Sequence, residues 1–202
     1  MNLKLDKVHF YSYCRNAFTK EECKKIIQIA KKKGLILSLQ GFHLTTKDKS
    51  GLEESYQSKF SDGARKSKIC WLYPSNDMEW VFRRVTDIVL DLNKRFFNFN
   101  IFGLHEGFQF TNYKAPSDKY GKHIDRSLDM SVRKLSISIQ LTDPKEYEGG
   151  ELYLYDDDKG TLLEKKQGTL IMFPSYILHE VKPVTKGERS SLVTWVTGDQ
   201  FK

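Results

Sequence analysis

The sequence predicts an α+β fold. Its C-terminal half forms a jelly-roll barrel, and two N-terminal helices support one sheet of that barrel. Three observations predict it. The first half carries two segments with the apolar periodicity of amphipathic helices. From Asn98 onward the texture changes to short alternating runs separated by turn residues. Aromatics are plentiful, with thirteen Phe, ten Tyr and three Trp, which favours a sheet-rich fold. Helices first and many short strands afterwards is the order of an α+β protein, with the strand half closing as a jelly roll.

Residues 7–13 read as a short first strand. The first helix, about 19–33, opens on a capping box, with Thr19 as N-cap and Glu22 reaching back to it. Cys23, Ile26, Ile27 and Ala30 follow at helical spacing, and Gly34 supplies the stop. The second helix spans about 77–93, with a stripe of Val81, Val85, Ile88 and Leu92. Between them, residues 40–68 are polar and rich in Lys, Ser and Gly; a mobile lid and a plain irregular loop are both open readings. In the barrel half, Leu135, Ile137, Ile139 and Leu141 alternate with Ser136, Ser138 and Gln140, the pattern of a half-buried strand. Leu152 and Leu154 alternate with Tyr153 and Tyr155, and residues 156–160 (DDDKG) make a turn. Residues 170–173 form an apolar run closed by Pro174, and residues 191–197 form a last strand. Residues 1–202 are expected to make a single domain, with the barrel core at about 98–198.

The bulk numbers exclude several classes. At 202 residues, the protein is long enough for one domain with a sizeable core. With 39% hydrophobic and 29% charged residues it is ordinary globular protein. No apolar run approaches the roughly 20 residues needed to span a bilayer, and the first residues lack an apolar signal core. The three cysteines, Cys14, Cys23 and Cys70, have no metal-ligand spacing and read as reduced thiols, so a cytoplasmic protein without membrane partners is expected. The formal charge of +7 raises the question of a nucleic-acid partner. Much of the excess sits on scattered lysines (Lys31, Lys32, Lys33, Lys165, Lys166), without a basic stripe interleaved with aromatics, which is the pattern of a solvated surface.

The chemistry centres on His123-Ile124-Asp125. On an extended backbone residues i and i+2 share a face, so an imidazole and a carboxylate can converge on one ion. Of the five histidines (His9, His43, His105, His123, His179), only His179 lies in the strand region after this motif. Two histidines and one carboxylate on one face of an iron are the facial triad of non-haem iron(II) oxygenases, with positions left for a 2-oxo acid and dioxygen. Arg189 follows His179 by ten positions and offers a planar two-point fork for the distal carboxylate of 2-oxoglutarate. Ser191, two residues on, shares its strand face. His105-Glu106 reads as surface, Asp156 to Asp158 as a hairpin turn rather than a calcium loop, and Lys145 and Glu146 as exposed loop.

These pieces resemble the prolyl 4-hydroxylase-like branch of the 2-oxoglutarate/Fe(II) dioxygenases, particularly the bacterial PKHD-type hydroxylases. The resemblance covers about residues 107–196. It is carried by Tyr113, His123-Ile124-Asp125, residues 133–144 (RKLSISIQLTDP), 147–152 (YEGGEL), 168–174 (GTLIMFP), His179-Glu180-Val181, Gly187-Glu188-Arg189 and Val193-Thr194-Trp195. It implies a double-stranded β-helix of the cupin-like type, Fe(II) bound by His123, Asp125 and His179, and 2-oxoglutarate paired with Arg189. It implies further that Tyr113 helps hold the same carboxylate, that Trp195 lines the co-substrate pocket and that Gly149-Gly150 turns into the next strand. O2 is the oxidant of the implied reaction, ascorbate an optional reductant, and succinate and CO2 the co-products. The implied activity is hydroxylation of a C–H bond, since Asp125 holds the ligand position that a halogenase leaves vacant for chloride. The implied substrate is a peptidyl, protein or free amino-acid residue such as proline. Two other classes stay open: an oxygenase acting on nucleic acid and a non-catalytic cupin-like binding module. The sequence leaves the oligomeric state open.

Overall fold

The structure, a computed structural model, describes residues 9–40, 46–47, 53–54, 65–125 and 132–200. The first strand, β1, is Ser12–Cys14. It is shorter and later than the expected 7–13; residues 7 and 8 lie outside the described residues. Helix α1 is Lys20–Lys33. The Thr19 hydroxyl accepts from the Glu22 amide at 3.2 Å, and the Glu22 carboxylate accepts from the Thr19 amide at 2.9 Å, which is the expected capping box. Glu22 also accepts from Arg84 at 2.6 Å and so ties this helix end to the second helix. Because the box satisfies two orphan amides, Thr19→Ala is expected to destabilise the fold by about 1 kcal/mol, seen as a lower urea midpoint at unchanged slope.

Strands β2 (Ile36–Gln40) and β5 (Arg65–Leu72) occupy ground that the sequence assigns partly to a loop. They pair antiparallel, from Ile36 opposite Ile69 to Gln40 opposite Arg65. The correction has a physical cause. Arg65-Lys66-Ser67-Lys68 has no apolar face of its own, and β2 exposes Ile36, Leu37 and Leu39, so neither strand shows an alternating pattern in sequence. Between them lies a small ladder of β3 (Thr46–Lys47) and β4 (Glu53–Glu54). The rest of the proposed lid lies outside the described residues. Helix α2 is Glu79–Leu92 and passes into a π-helical turn, Asn93–Phe97. It buries Val81, Val85, Val89 and Leu92; Val89 replaces the expected Ile88, which is only partly buried.

The remaining strands are β6 (Ile101–Leu104), β7 (Phe108–Lys114), β8 (Lys119–His123), β9 (Arg133–Gln140), β10 (Tyr147–Gly149), β11 (Leu152–Tyr155), β12 (Thr161–Leu162), β13 (Leu170–Pro174), β14 (Leu178–Val181) and β15 (Val184–Gly198). Thirteen strands form one curled antiparallel sheet whose main path is β1-β13-β9-β15-β7-β5-β8-β14-β11-β12. The last strand is much longer than the expected 191–197. Residues 186–189 (KGER) look like a turn in sequence. In the fold Gly187 takes a φ of +73° against Glu146, and the backbone stays in register with β10 and β7.

Period-two alternation divides the molecule into two cores. On β13, Leu170 and Met172 join α1 and α2 in one apolar cluster, while Ile171 and Phe173 point into the second, with Tyr113, Leu152, Leu154 and Val181. On β9, Leu135, Ile137 and Ile139 face the helices. Ser136, Ser138 and Gln140 on the other face are buried as well, so this strand is not half-exposed. Its polar face turns into the curled sheet. The three cysteines are free thiols, and burial pushes Cys23 up to about 12. Among the described residues no helix is long and apolar enough to cross a membrane.

Candidate active site

Residues of eight strands (β5, β7, β8, β9, β11, β13, β14 and β15) converge on a cavity of about 410 Å³. His123 ends β8, and His179 lies opposite it in register on β14. This pairing sets the two imidazoles side by side, with ring centroids 4.1 Å apart. Asp125 lies just past β8, where its amide donates to the Ser175 carbonyl at 3.0 Å. The ligand atoms of His123, Asp125 and His179 all lie within 4.8 Å of one another, and no other described group of three is so arranged.

The geometry of these residues fits a divalent metal. His123 Nδ1 is 2.8 Å from the Gly121 carbonyl and His179 Nδ1 is 2.9 Å from the Ile177 carbonyl, so each Nδ1 carries the proton and donates. Both Nε2 lone pairs are then free to face Asp125, at 3.6 Å from Oδ1 and 3.5 Å from Oδ2. Backbone carbonyls that fix the tautomer in this way are the usual outer support of metal-binding imidazoles. Burial, then the neighbouring His179, pushes His123 well below the ordinary imidazole range, so its ring is neutral, as a ligand must be. Burial of Asp125 opposes ionisation, but His179, His123 and the Ser136 hydroxyl outweigh it and hold the carboxyl below its usual range. Ser136 donates to Asp125 Oδ2 at 2.7 Å.

Arg189, 2% exposed, lies on β15 opposite Tyr113 of β7. Its guanidinium donates to Gln140 at 2.9 Å and reaches Ser191 Oγ at 3.5 Å, and its carbon sits 5.5 Å from the centre of the Tyr113 ring. No carboxylate among the described residues pairs with it. Burial, opposed by Arg65 and Arg189, raises the Tyr113 phenol, which therefore stays a hydrogen-bond donor. Gly150, with a φ of +63°, allows this packing, because a Cβ there would lie 2.9 Å from Arg189 Cδ. Trp195 lines the same cavity, with its indole N–H buried beside the Asp125 carboxyl, which it helps hold below its usual range. All seven residues singled out from sequence thus line one cavity: His123, Asp125, His179, Arg189, Tyr113, Ser191 and Trp195.

Other lining residues carried no sequence signal. His105 is exposed, as expected, but Glu106 is not bland surface. It takes a two-point fork from Arg133 at 2.7 and 2.6 Å. Arg133 also donates to the Asp125 carbonyl at 3.2 Å and lies 3.7 Å from the centre of the Trp195 ring. This clamp holds Asp125 and the indole together. Arg65, on strand β5, is 5% exposed and lines the cavity too.

The curled sheet and its three-residue group define a class: a double-stranded β-helix with a His-Asp-His metal-competent site. Residues 108–197 match the family model of the 2OG-Fe(II) oxygenase superfamily. A PKHD-type hydroxylase of Aliarcobacter butzleri is 39% identical over 94 residues, covering 43% of this protein and 42% of that one. The match therefore spans well under two thirds of the length of that relative. A PKHD-type hydroxylase of Prochlorococcus marinus is 28% identical over 173 residues, 85% of this protein and 75% of that one. The crystal structure of a Pseudomonas putida prolyl-4-hydroxylase superposes with a TM-score of 0.67 at 19% identity, covering 95% of this protein and 94% of that one, a likeness of fold.

Proposed function

We propose that this protein is an Fe(II)- and 2-oxoglutarate-dependent dioxygenase that hydroxylates a C–H bond of a peptidyl or free amino acid, such as proline. One observation carries the reading. Two imidazoles and a carboxylate converge within 4.8 Å, in the same cavity as a buried arginine that pairs with no carboxylate among the described residues. His123, Asp125 and His179 would hold the iron, with Ser136 orienting the carboxylate. Arg189 would hold the distal carboxylate of 2-oxoglutarate, with the Tyr113 hydroxyl and Ser191 beside it. Iron(II) with 2-oxoglutarate and dioxygen supplies the oxidising power, succinate and CO2 are the co-products, and ascorbate serves as an optional reductant. The protein's own part is position and exclusion of water: Leu152, Phe173 and Val181 form an apolar wall to the cavity.

The test is an anaerobic titration of iron(II)-loaded protein with 2-oxoglutarate, followed by the visible charge-transfer band of the chelate. A saturable band, lost in Asp125→Ala, is expected. Folded, iron-loaded protein that gives no band would leave a cupin-like binding module as the better reading.

A further inference from the structure

Among the described residues, five charged side chains line the cavity: Arg65, Arg133, Arg189, Glu106 and Asp125. Arg133 and Glu106 neutralise one another through their fork. On the function proposed above, the two charges of Fe(II) meet Asp125 and the proximal carboxylate of 2-oxoglutarate, and the distal carboxylate meets Arg189. Among the described residues, one positive charge is left over, on Arg65.

Arg65 is 5% exposed and forms no ion pair with any described residue. Neutral groups hold it in place. Its Nε donates to Ser67 at 2.9 Å, and one terminal nitrogen donates to Gln109 at 2.8 Å and Thr111 at 3.3 Å. The other terminal nitrogen has no hydrogen-bond partner among the described residues. A buried cation without a counter-charge is costly, and retaining one at the wall of a cavity makes sense if an anion binds there. Its place is close to the metal-competent group. The Arg65 guanidinium carbon lies 4.9 Å from the centre of the Tyr120 ring, and Tyr120 stacks on His123 with ring centroids 3.5 Å apart. One aromatic ring therefore separates Arg65 from a candidate iron ligand.

We infer that Arg65 binds a carboxylate of the substrate, so that the substrate is a free amino acid, or the C-terminal residue of a peptide, rather than the interior of a neutral peptide. A planar fork suits a carboxylate better than it suits a lone carbonyl. The short path through Tyr120 to His123 sets an anchored α-carboxylate, and a C–H group farther out on the same residue, within one cavity.

This inference rests on the proposed function, and the experiment separates the two. Zinc-loaded protein saturated with N-oxalylglycine, an inert mimic of 2-oxoglutarate, is titrated calorimetrically with the free L-amino acids, their N-acetyl derivatives and the matching amides. At least one acid is expected to bind roughly tenfold or more tightly than its amide. Arg65→Gln is expected to erase that preference while still binding N-oxalylglycine, which also reports that the variant is folded, and Arg65→Lys is expected to restore part of it. Preference for free over N-acetylated acids identifies a free amino acid, and the reverse a peptide C-terminus. The inference is overturned if no acid is preferred to its amide, if the preference survives Arg65→Gln, or if Arg65→Gln weakens N-oxalylglycine itself, since Arg65 would then serve the co-substrate. Wild-type protein that fails to bind N-oxalylglycine would overturn the proposed function, and this inference with it.

Discussion

Replacing His179 by alanine is expected to abolish iron(II) binding at micromolar metal and, with it, all 2-oxoglutarate consumption. His179 faces His123 directly across the β8–β14 pair, and its Nε2 points at Asp125 Oδ2. Removing it leaves one imidazole and one carboxylate, which do not make a face of three donors. Loss of an outer partner of a metal ligand typically costs about 10- to 100-fold in affinity, and loss of the ligand itself should exceed that. The change leaves the β14 backbone hydrogen bonds intact, so circular dichroism should remain that of the parent. Calorimetric iron titration under argon is the check; wild-type affinity in the variant would refute the ligand assignment.

The second large effect is expected of Arg189→Ala. Here iron affinity should stay in the wild-type range, while the 2-oxoglutarate requirement rises steeply. Arg189 is almost wholly buried, and its neighbours Gln140, Ser191 and Tyr113 are neutral. No other described cation shares its register position on β15. Truncating one partner of a buried, hydrogen-bonded charge pair costs roughly 2–5 kcal/mol, which is about 30-fold to several thousandfold in affinity. The charge-transfer titration measures it directly. An unchanged 2-oxoglutarate dependence would move the role to another cation, with Arg65 the first to examine. The two variants thus separate metal binding from co-substrate binding, because their targets sit on different strands.

The candidate site was legible in sequence where its signals are local or ordered along the backbone. His123 and Asp125 are two residues apart, and an extended backbone alone lets them converge. Arg189 and Ser191 share a strand face for the same reason. His179 stood out as the one histidine in the strand region after that motif, the resemblance to the prolyl 4-hydroxylase-like branch added Tyr113 and Trp195 as roles, and the fold brings all of these residues to one cavity. The supports of the site were not legible. Glu106 meets Arg133, and Arg65 meets Gln109 and Thr111, through cross-strand neighbours that no spacing announces.

Helix α1 with its capping box, the apolar stripe of α2 and the alternation of β9 were determined by the sequence itself, since caps and periodicity act within a few residues. Tertiary structure decided the rest. It drew residues 65–72 into the sheet as β5, although their first half has no apolar face, because β7 and β8 supply the missing backbone partners. It buried both faces of β9, so that serine and glutamine became the polar lining of a cavity. It enclosed Arg65 and Arg189 in the same cavity, with no carboxylate among the described residues paired to either. The physical reason is common to all three: a strand is stabilised by neighbours distant in sequence, and the curl of the sheet, which no local pattern encodes, determines what each inward residue meets.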